Sequence, residues 1–382
     1  MLFKEVKHEF EIEGRKCTFE TGKLALKSES SILARMGDTV ITVNVNTAAP
    51  KQESDFFPLS VEYIEKFYAS GKISGSRFVK RERFPSDDAV LKARIIDRAI
   101  RPRFPKDYRN DLNLIVTVMS YDGENDPMLL AINAASVALM YSSAPFSGPI
   151  AGVRMGIVDG KLQNVLKSMD LTTPDDKMNY VVAGDGKTFT MIDAGCYEST
   201  NEEIISAMKE SLNLMQPWIA AQNDFLNKLE MKDKTYTSYA TPEEVIEQVK
   251  EFLTEARIKE NLQKANDKIH EATKEEIFTQ FEGKFSKVVL AEAYDYLQKK
   301  AARKIVLEEN TRVDGRAMDE IRELYTEVDL LPRVHGSALF TRGVTQTLTI
   351  ATLGSLRDVR LVDDMEGERE QRYMHFYNDL PF

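Results

Sequence analysis

The stretch SSILARMGDTVITVNV, residues 30–45, returns in altered form as GSALFTRGVTQTLTIAT, residues 336–352. Each stretch places a glycine turn before a β-branched run, a pattern typical of a strand that follows a tight turn. At an offset of 306 residues four pairs are identical: Ser31 and Ser337, Leu33 and Leu339, Gly37 and Gly343, Thr39 and Thr345. Because a whole αβ segment and a helical segment separate the two stretches, the repeat predicts a duplicated αβ domain whose second copy is truncated at Phe382.

The first copy alternates strand and helix patterns, which predicts an α/β (α+β) fold with mixed sheets and packed helices. The run TVITVNVNT, residues 39–47, is β-branched and predicts a strand. Residues 126–143, DPMLLAINAASVALMYSS, predict a helix whose small Ala-rich faces pack closely on a sheet. Asp-Gly pairs at 159–160 and 185–186 predict the turns of two hairpins.

The pattern becomes helical from residue 240. Residues 240–309 carry charges throughout, with one glycine and one proline, and predict three or four helices. Thr241 is expected to be the first N-cap, with Pro242 and Glu244 completing a helix-start signature. The charge run is interpreted as a solvated face, with a binding surface as the alternative. The chain is therefore predicted to contain three domains: residues 1–235, 240–309 and 312–382.

The composition is that of a soluble globular protein, with 42% hydrophobic and 29% charged residues and a net charge of −10 over 382 residues. Charges from Lys4 onward exclude a signal peptide at the start, and no window approaches the roughly 18 apolar residues of a membrane span. Cys17 and Cys196 stand alone and are expected to be buried free thiols. The four histidines have no metal-ligand spacing, and a cytoplasmic location is expected.

Positive charge is nevertheless concentrated in one segment, Lys72–Arg109, with twelve Lys or Arg against five Asp or Glu. Net charge describes the far field, so a local basic segment in an acidic chain is compatible with a polyanionic ligand. Within it, GSRFVKRERF at residues 75–84 interleaves aromatic and basic side chains. Cations neutralise phosphates, and an aromatic face stacks on any base for about 1–3 kcal/mol. The pattern favours single-stranded RNA contact.

The helix predicted next, DDAVLKARIIDRAIR at residues 87–101, follows two possible caps, Ser86 and Asp87. Its apolar residues recur at helical spacing, and three arginines share another face. These arginines are interpreted as structural, paired with Asp97 or with carbonyls at the helix C-terminus: Arg94, Arg98 and Arg101.

Four stretches resemble, in the same order, the polynucleotide phosphorylases, a family of phosphate-dependent 3′→5′ exoribonucleases. They are FFPLSVEYIEKFYASGKISGSRF (56–78), KARIIDRAIRPRFPKDY (92–108), RVDGRAMDEIR (312–322) and LPRVHGSALFTRGVTQTL (331–348). The resemblance implies a ribonuclease PH-like fold in each half, a helical domain between the halves, and a homotrimeric ring that RNA enters. It also implies phosphorolysis of single-stranded RNA to nucleoside diphosphates in mRNA turnover, with Mg²⁺ as cofactor, inorganic phosphate as co-substrate and RNA-degradation complexes as partners.

In that family the segment matching residues 76–81 is a loop that narrows the channel and grips RNA. The resemblance therefore assigns RNA binding to five residues: Arg77, Phe78, Lys80, Arg81 and Arg83. The chain departs from the family pattern, because many relatives have two adjacent phenylalanines there. Stacking in this chain depends on the single ring of Phe78, or on Phe84 from a new position.

The family's phosphate-binding serines and metal-binding aspartates belong to a later part of its sequence, so no catalytic residue and no metal ligand is assigned to this chain. The counterpart in the first copy, DGENDPMLLAINAAS at residues 122–136, holds three acidic residues, interpreted as a loop before a helix N-terminus rather than a metal site. The acidic residues within 363–368 are interpreted as a solvated loop. Two alternative functions are a non-catalytic RNA-binding or assembly module of the same fold, and a scaffold without RNA binding.

Overall fold

The computed structural model describes residues 4–50, 54–73, 84–167, 177–264 and 267–378. The chain divides into two compact units, of which the first comprises Met1–Tyr239 with Asp363–Glu368. The second comprises Ala240–Val362 and Arg369–Phe382. The three-domain division expected from the sequence stays a prediction beside this division into units.

The repeated stretch forms the centre of the first sheet. This sheet has the order β1-β2-β3-β4-β6-β5, with only the β5–β6 pair parallel. Its strands are β1 (Val6–Ile12), β2 (Arg15–Thr21), β3 (Ser30–Met36), β4 (Thr39–Ala48), β5 (Leu59–Ile64) and β6 (Asp111–Ser120). Gly37, with a φ of +58°, makes the tight turn between β3 and β4. Alternate residues of β3 are buried, as expected of a sheet with one covered face.

Two hairpins form the second sheet, in the order β10-β9-β7-β8. Its strands are β7 (Ala151–Val158), β8 (Lys161–Asn164), β9 (Met178–Gly184) and β10 (Phe189–Cys196). The predicted turns are confirmed: residues 159–160 join β7 to β8, and residues 185–186 join β9 to β10. Cys17 is buried as expected, but Cys196 at the end of β10 is exposed, so the expectation of burial was wrong there.

The helices of the first unit are α1 (Asp87–Ile100), α2 (Pro127–Tyr141) and α3 (Asn201–Leu226). Thirteen of the fifteen residues of α2 are buried, because the helix packs against β3 and β4 of one sheet and β7 of the other. Gly152 on β7 permits this approach, since a Cβ there would lie 2.7 Å from Cγ2 of Ile132. The apolar run 126–143 thus forms the predicted helix, at the centre of the core.

A buried ion pair fixes the start of α2. The Asp126 carboxylate caps the helix by accepting a hydrogen bond of 2.7 Å from the Met128 N–H. Its other oxygen lies 2.6 Å from Nη1 of Arg154 on β7, and both side chains are 4% exposed. Farther along α2, the Asn133 amide bonds to Gly152 on β7 at 3.0 Å. Polar contacts therefore set the position of an otherwise apolar helix.

The second unit begins with the predicted helical segment, which contains four helices: α4 (Glu243–Phe252), α5 (Glu255–Lys264), α6 (Asp267–Gln280) and α7 (Lys287–Glu308). Their apolar faces form a separate core that includes Val249, Leu290 and Tyr294. Thr241 was expected to cap the first helix, but the N-cap is Pro242. The Thr241 hydroxyl instead donates to Glu292 on α7, at 2.7 Å.

The strands of the second unit repeat the geometry of the first sheet. Three antiparallel strands, in the order β11-β12-β13, are β11 (Leu324–Val328), β12 (Gly336–Arg342) and β13 (Thr345–Ala351). A further hairpin consists of β14 (Arg360–Asp363) and β15 (Glu368–Gln371). The β12–β13 register pairs Arg342 with Thr345, and β3–β4 pairs Met36 with Thr39, which is the same pairing at the offset of 306.

These elements confirm the predicted α/β (α+β) class of mixed sheets, packed helices and a helical segment. No helix in the described part of the chain is both long and apolar enough to cross a membrane.

Asp126→Asn tests the buried ion pair, because asparagine keeps the N-cap and removes the charge opposite Arg154. We expect urea denaturation at pH 7 to show a free energy of unfolding lower by about 3–5 kcal/mol, since an uncompensated charge remains buried. Asp159→Asn makes the same chemical change at an exposed turn and is expected to cost less than about 0.5 kcal/mol. If both variants lower the free energy of unfolding by the same amount, the ion pair between Asp126 and Arg154 does not stabilise the fold in the way proposed.

Candidate RNA interface

The five residues assigned to RNA binding are close together in sequence and fall within residues 74–83, which lie outside the described residues. Their assignment stays a prediction: Arg77, Phe78, Lys80, Arg81 and Arg83. The structure describes the two flanks of this segment, the cations that follow it, and a second set of cations in the helical segment.

The flank before residue 74 is a 3₁₀ turn, Phe67–Ser70, that continues from β5. Gly71 ends the turn in the left-handed conformation, with a φ of 69°, which favours glycine. The Tyr121 N–H bonds to the Ala69 carbonyl at 2.9 Å and ties the turn to the residue that follows β6. Ile73, the last described residue of this flank, is 85% exposed.

The flank after residue 83 leads directly into α1. Ser86 is the N-cap, accepting a hydrogen bond of 3.0 Å from the Ala89 N–H, so the first of the two predicted caps is correct. Phe84 is 89% exposed, the degree of access that a stacking ring needs. On the opposite flank Tyr68 is 53% exposed. Both flanks thus present aromatic side chains to solvent.

The three helix arginines differ in their surroundings. Arg101 is structural as predicted, because its guanidinium pairs with Asp97 at 2.7 Å and donates to the Phe57 carbonyl at 3.1 Å. Arg94 and Arg98 are exposed and form no ion pair among the described residues, so the structural interpretation was wrong for these two. Their charge is available to a polyanion on the exposed face of α1.

Other cations of the basic segment hold the fold together. Arg103 lies 3.1 Å from the Asp185 carboxylate and donates to the Ser147 carbonyl. Arg109 is buried and donates to the carbonyl oxygen of Lys106. The positive charge of Lys72–Arg109 is therefore divided between structural and exposed side chains.

The acidic residues of 363–368 match the solvated loop expected from the sequence only in part, because Asp363, Glu366 and Glu368 are exposed but Asp364 is buried. Met365 is 2% exposed and Asp364 is 7% exposed. Lys92 on α1 lies between two carboxylates, with Nζ 2.6 Å from Glu65 and 2.7 Å from Glu366. Burial of Lys92 would lower its pKa, but the two carboxylates outweigh burial and raise the pKa above its ordinary value. No local sequence pattern predicted this contact.

The carboxylate of Asp122 stabilises the loop before α2, as the sequence interpretation expected. It accepts backbone hydrogen bonds from Asn125 at 2.8 Å and Glu124 at 2.9 Å, and one of 2.9 Å from the Thr39 hydroxyl. Burial would raise the pKa of Asp122, but these hydrogen bonds outweigh it and lower the pKa to about 2. Over the described ranges, no group of three Asp, Glu, His or Cys side chains could hold a metal ion.

A second exposed basic surface lies on α7, where the sequence interpretation favoured a merely solvated face. Four residues at spacings of three, four and seven share one side of the helix: Tyr296, Lys299, Lys300 and Arg303. Tyr296 is 48% exposed, and Nζ of Lys300 lies 6.0 Å from its ring centre. The three cations are exposed and form no ion pair with any described residue. We refer to these four residues as the α7 stripe.

Neighbouring cations of the same helices are neutralised. Lys304 pairs with Glu255 at 2.5 Å, and Lys259 pairs with Glu309 at 2.6 Å. In contrast to these two lysines, the cations of the α7 stripe pair with no described carboxylate. The sequence signal was the aromatic and basic residues at helical spacing in YDYLQKKAARK, residues 294–304.

Comparison with known families assigns a class to each unit. Residues 13–145 match the 3′ exoribonuclease family, domain 1, a range that covers β2 to β6 of the first sheet together with α1 and α2. The first unit belongs to this class of ribonuclease PH-like domains. Residues 239–317 match the polyribonucleotide nucleotidyltransferase RNA-binding domain, which covers the four helices of the second unit.

Curated relatives extend the match to nearly the whole chain. The polyribonucleotide nucleotidyltransferase of Ruminiclostridium cellulolyticum is 41% identical over 379 residues, 96% of this chain and 53% of the relative. That of Caldicellulosiruptor saccharolyticus is 39% identical over 383 residues, 98% of this chain and 54% of the relative. The resemblance drawn from the sequence is confirmed, and the chain belongs to the polyribonucleotide nucleotidyltransferase family.

The chain spans about half the length of the curated relatives it matches. Among solved structures, rice (Oryza sativa) Rrp46 is similar with a TM-score of 0.39 and 13% identity, over 59% of this chain and 94% of that one. The assignment to the family rests on the sequence matches alone.

Proposed function

We propose that this chain is the N-terminal part of a polyribonucleotide nucleotidyltransferase that degrades single-stranded RNA with phosphate, from the 3′ end, to nucleoside diphosphates. The observation that carries the proposal is the order of the two matched domains, together with 41% identity over 96% of the chain. We extend the proposal to the homotrimeric ring, the cytoplasmic location and the RNA-degradation partners that the family resemblance implies.

The chemistry is assigned to the part of the protein that this chain does not contain. Phosphorolysis needs cations and hydroxyls around phosphate, and a divalent ion that stabilises the charge developing on the departing 3′ oxygen. The described residues do not fit a Mg²⁺ site, because they contain no cluster of three metal-ligating side chains. The role proposed for this chain is to bind and guide the RNA.

Two regions of the chain support that role. The first is the basic segment 74–83 by its sequence, together with the described residues after it, among which Phe84, Arg94 and Arg98 are exposed. The second is the α7 stripe, which lies in the domain whose matching family is described as RNA binding. Both regions combine cations with aromatic residues, which suits sequence-independent binding of phosphates and bases.

Because we assign the chemistry to a part of the protein outside this chain, we predict that the verified 382-residue chain releases no nucleoside diphosphate from poly(A) in phosphate and Mg²⁺. Chromatography of the reaction products measures this, with a full-length relative as the positive control. Clear phosphorolysis by the 382-residue chain would place the active site within the residues that we have called non-catalytic. If the native protein has this length and is inactive, its function is one of the two non-catalytic alternatives, and the RNA-binding measurements that follow distinguish the RNA-binding module from the scaffold.

Changing Lys80 and Arg81 together to Ala should reduce the salt dependence of RNA binding. The expected slope for single strands is about −0.7 per neutralised phosphate, so the double variant should lose about one to two units. Phe78→Ala should keep the slope and still weaken binding by about 1–3 kcal/mol, because stacking releases few counterions. The measurement is fluorescence anisotropy of a labelled oligoadenylate at several salt concentrations.

A matched control removes two exposed lysines from the two hairpins of the second sheet, Lys161→Ala with Lys187→Ala. This control loses the same net charge and is expected to keep both affinity and slope near those of the unmodified chain. If the control weakens binding as much as the Lys80 and Arg81 variant does, binding reflects overall charge rather than this segment.

For the α7 stripe, the triple variant Lys299→Ala, Lys300→Ala, Arg303→Ala should lower the salt slope by about two units. Tyr296→Ala should weaken binding without changing the slope. The control triple removes three lysines of the same helical segment, each of which already pairs with a glutamate on its own helix: Lys250, Lys264 and Lys274. Equal loss in both triple variants would contradict a specific role for this face.

A further inference from the structure

The start of α2 has the components of an anion-binding site. The first N–H groups of a helix carry partial positive charge and attract anions. Here the Met128 N–H donates to the Asp126 carboxylate at 2.7 Å. Arg154 on β7 adds a full positive charge at the same place, with Nη1 2.6 Å from the other carboxylate oxygen. Both charged side chains are 4% exposed, so water screens their charges only weakly.

The carboxylate of Asp126 does not satisfy every donor around it. Arg154 also donates from Nη1 to the Lys167 carbonyl at 2.8 Å, but its buried Nε atom has no hydrogen-bond partner among the described residues. Tyr63 on β5 is 2% exposed, and no described residue bonds to its hydroxyl. Burial raises the pKa of Tyr63 well above its ordinary value, and the carboxylate that raises it most is Asp126. Buried donors are normally bonded, so these two unused donors beside one carboxylate need an explanation.

An anion with more oxygen atoms than a carboxylate would use these donors. A carboxylate has two oxygens, and in Asp126 one accepts from Met128 while the other faces Arg154. Phosphate has four oxygens, and arginine side chains and helix N-termini are among the groups that bind it in proteins. The donors at the start of α2 therefore suit a tetrahedral oxyanion better than they suit the carboxylate that occupies the site.

We propose that the start of α2 is an oxyanion site that the chain fills with its own carboxylate, so that Asp126 keeps inorganic phosphate out of it. A side chain held in place by its own backbone does not pay the entropy that a free anion loses on binding, and it competes effectively with phosphate from solution. This inference goes beyond the proposed function, because it concerns phosphate and does not depend on RNA binding. The inactivity expected of the first unit then has a physical cause in an anion site that is already occupied.

Asp126→Gly in the 382-residue chain opens the site, because glycine is accepted as an N-cap at little cost and leaves Arg154 without its partner. We expect the variant to be less stable than the unmodified chain and to recover stability in phosphate. Its melting temperature should rise by about 2–4 °C more than that of the unmodified chain when about 50 mM phosphate replaces chloride at equal ionic strength. Comparison with the unmodified chain removes the general stabilisation that phosphate gives to folded proteins. Equilibrium dialysis with labelled phosphate should find about one more bound phosphate per chain in the variant.

Three further variants identify the groups that bind the phosphate. Ser86→Gly removes the N-cap side chain of α1, which contacts Glu65 rather than an arginine, and should respond to phosphate only as the unmodified chain does. Arg154→Met combined with Asp126→Gly should abolish the extra response, because the buried cation is lost. Tyr63→Phe combined with Asp126→Gly should weaken phosphate binding by about 3- to 10-fold, since one hydrogen bond to the anion is lost.

The proposal is wrong if Asp126→Gly gains no more stability and binds no more phosphate than the unmodified chain. Asp126 would then be only a helix cap and an ion-pair partner. Asp126→Ser provides the same test if the glycine variant does not fold, because serine still caps the helix but does not pair with Arg154. An extra response that persists after Arg154→Met would also contradict the proposal, since phosphate would then bind elsewhere.

Discussion

A helix that is apolar on every side has to be covered on every side, and this constraint on α2 organises the first unit. Its thirteen buried residues require both sheets, one on each face, because neither sheet alone removes all of them from water. The few polar groups along it are each satisfied, with Asp126 paired to Arg154, Asn133 bonded to β7 and the Ser136 hydroxyl accepting the Ile150 N–H at 2.8 Å. These bonds fix how the second sheet lies against the helix.

The position of α1 follows from the same core. Ala93, Ile96 and Ile100 are buried against the rest of the unit, which leaves the opposite face of the helix exposed. That face carries Arg94 and Arg98, and the N-terminus of the helix immediately follows the basic segment. Burial of one face of α1 therefore sets the position of the candidate interface. The opposite face, which carries the charges, is not constrained by packing.

Local patterns predicted the elements whose cause is local. The two Asp-Gly turns, the Ser86 cap and the helix at 126–143 were correct, because each depends on a few neighbouring residues. The errors involve distant partners. Arg98 and Arg101 are three residues apart with the same chemistry, yet only Arg101 reaches the Phe57 carbonyl from a neighbouring segment. No local sequence pattern predicts which carbonyl a guanidinium will contact. The structure was therefore needed to tell which cations of this basic segment are structural and which are available to a ligand.

The turn at residues 363–368 shows the same limit more clearly. A methionine among four acidic residues has the sequence pattern of a solvated loop, and its burial depends on a pocket that other segments build. Four described carboxylates near the basic segment contact structural cations: Glu65 and Glu366 contact Lys92, Asp97 contacts Arg101, and Asp185 contacts Arg103. Lys92 contacts two of these carboxylates, so four negative charges face three positive charges and the contacts as a group carry a net charge of −1. Arg94 and Arg98 on the exposed face of α1 pair with none of these carboxylates, so their charge is available to a phosphate even in a chain with a net charge of −10.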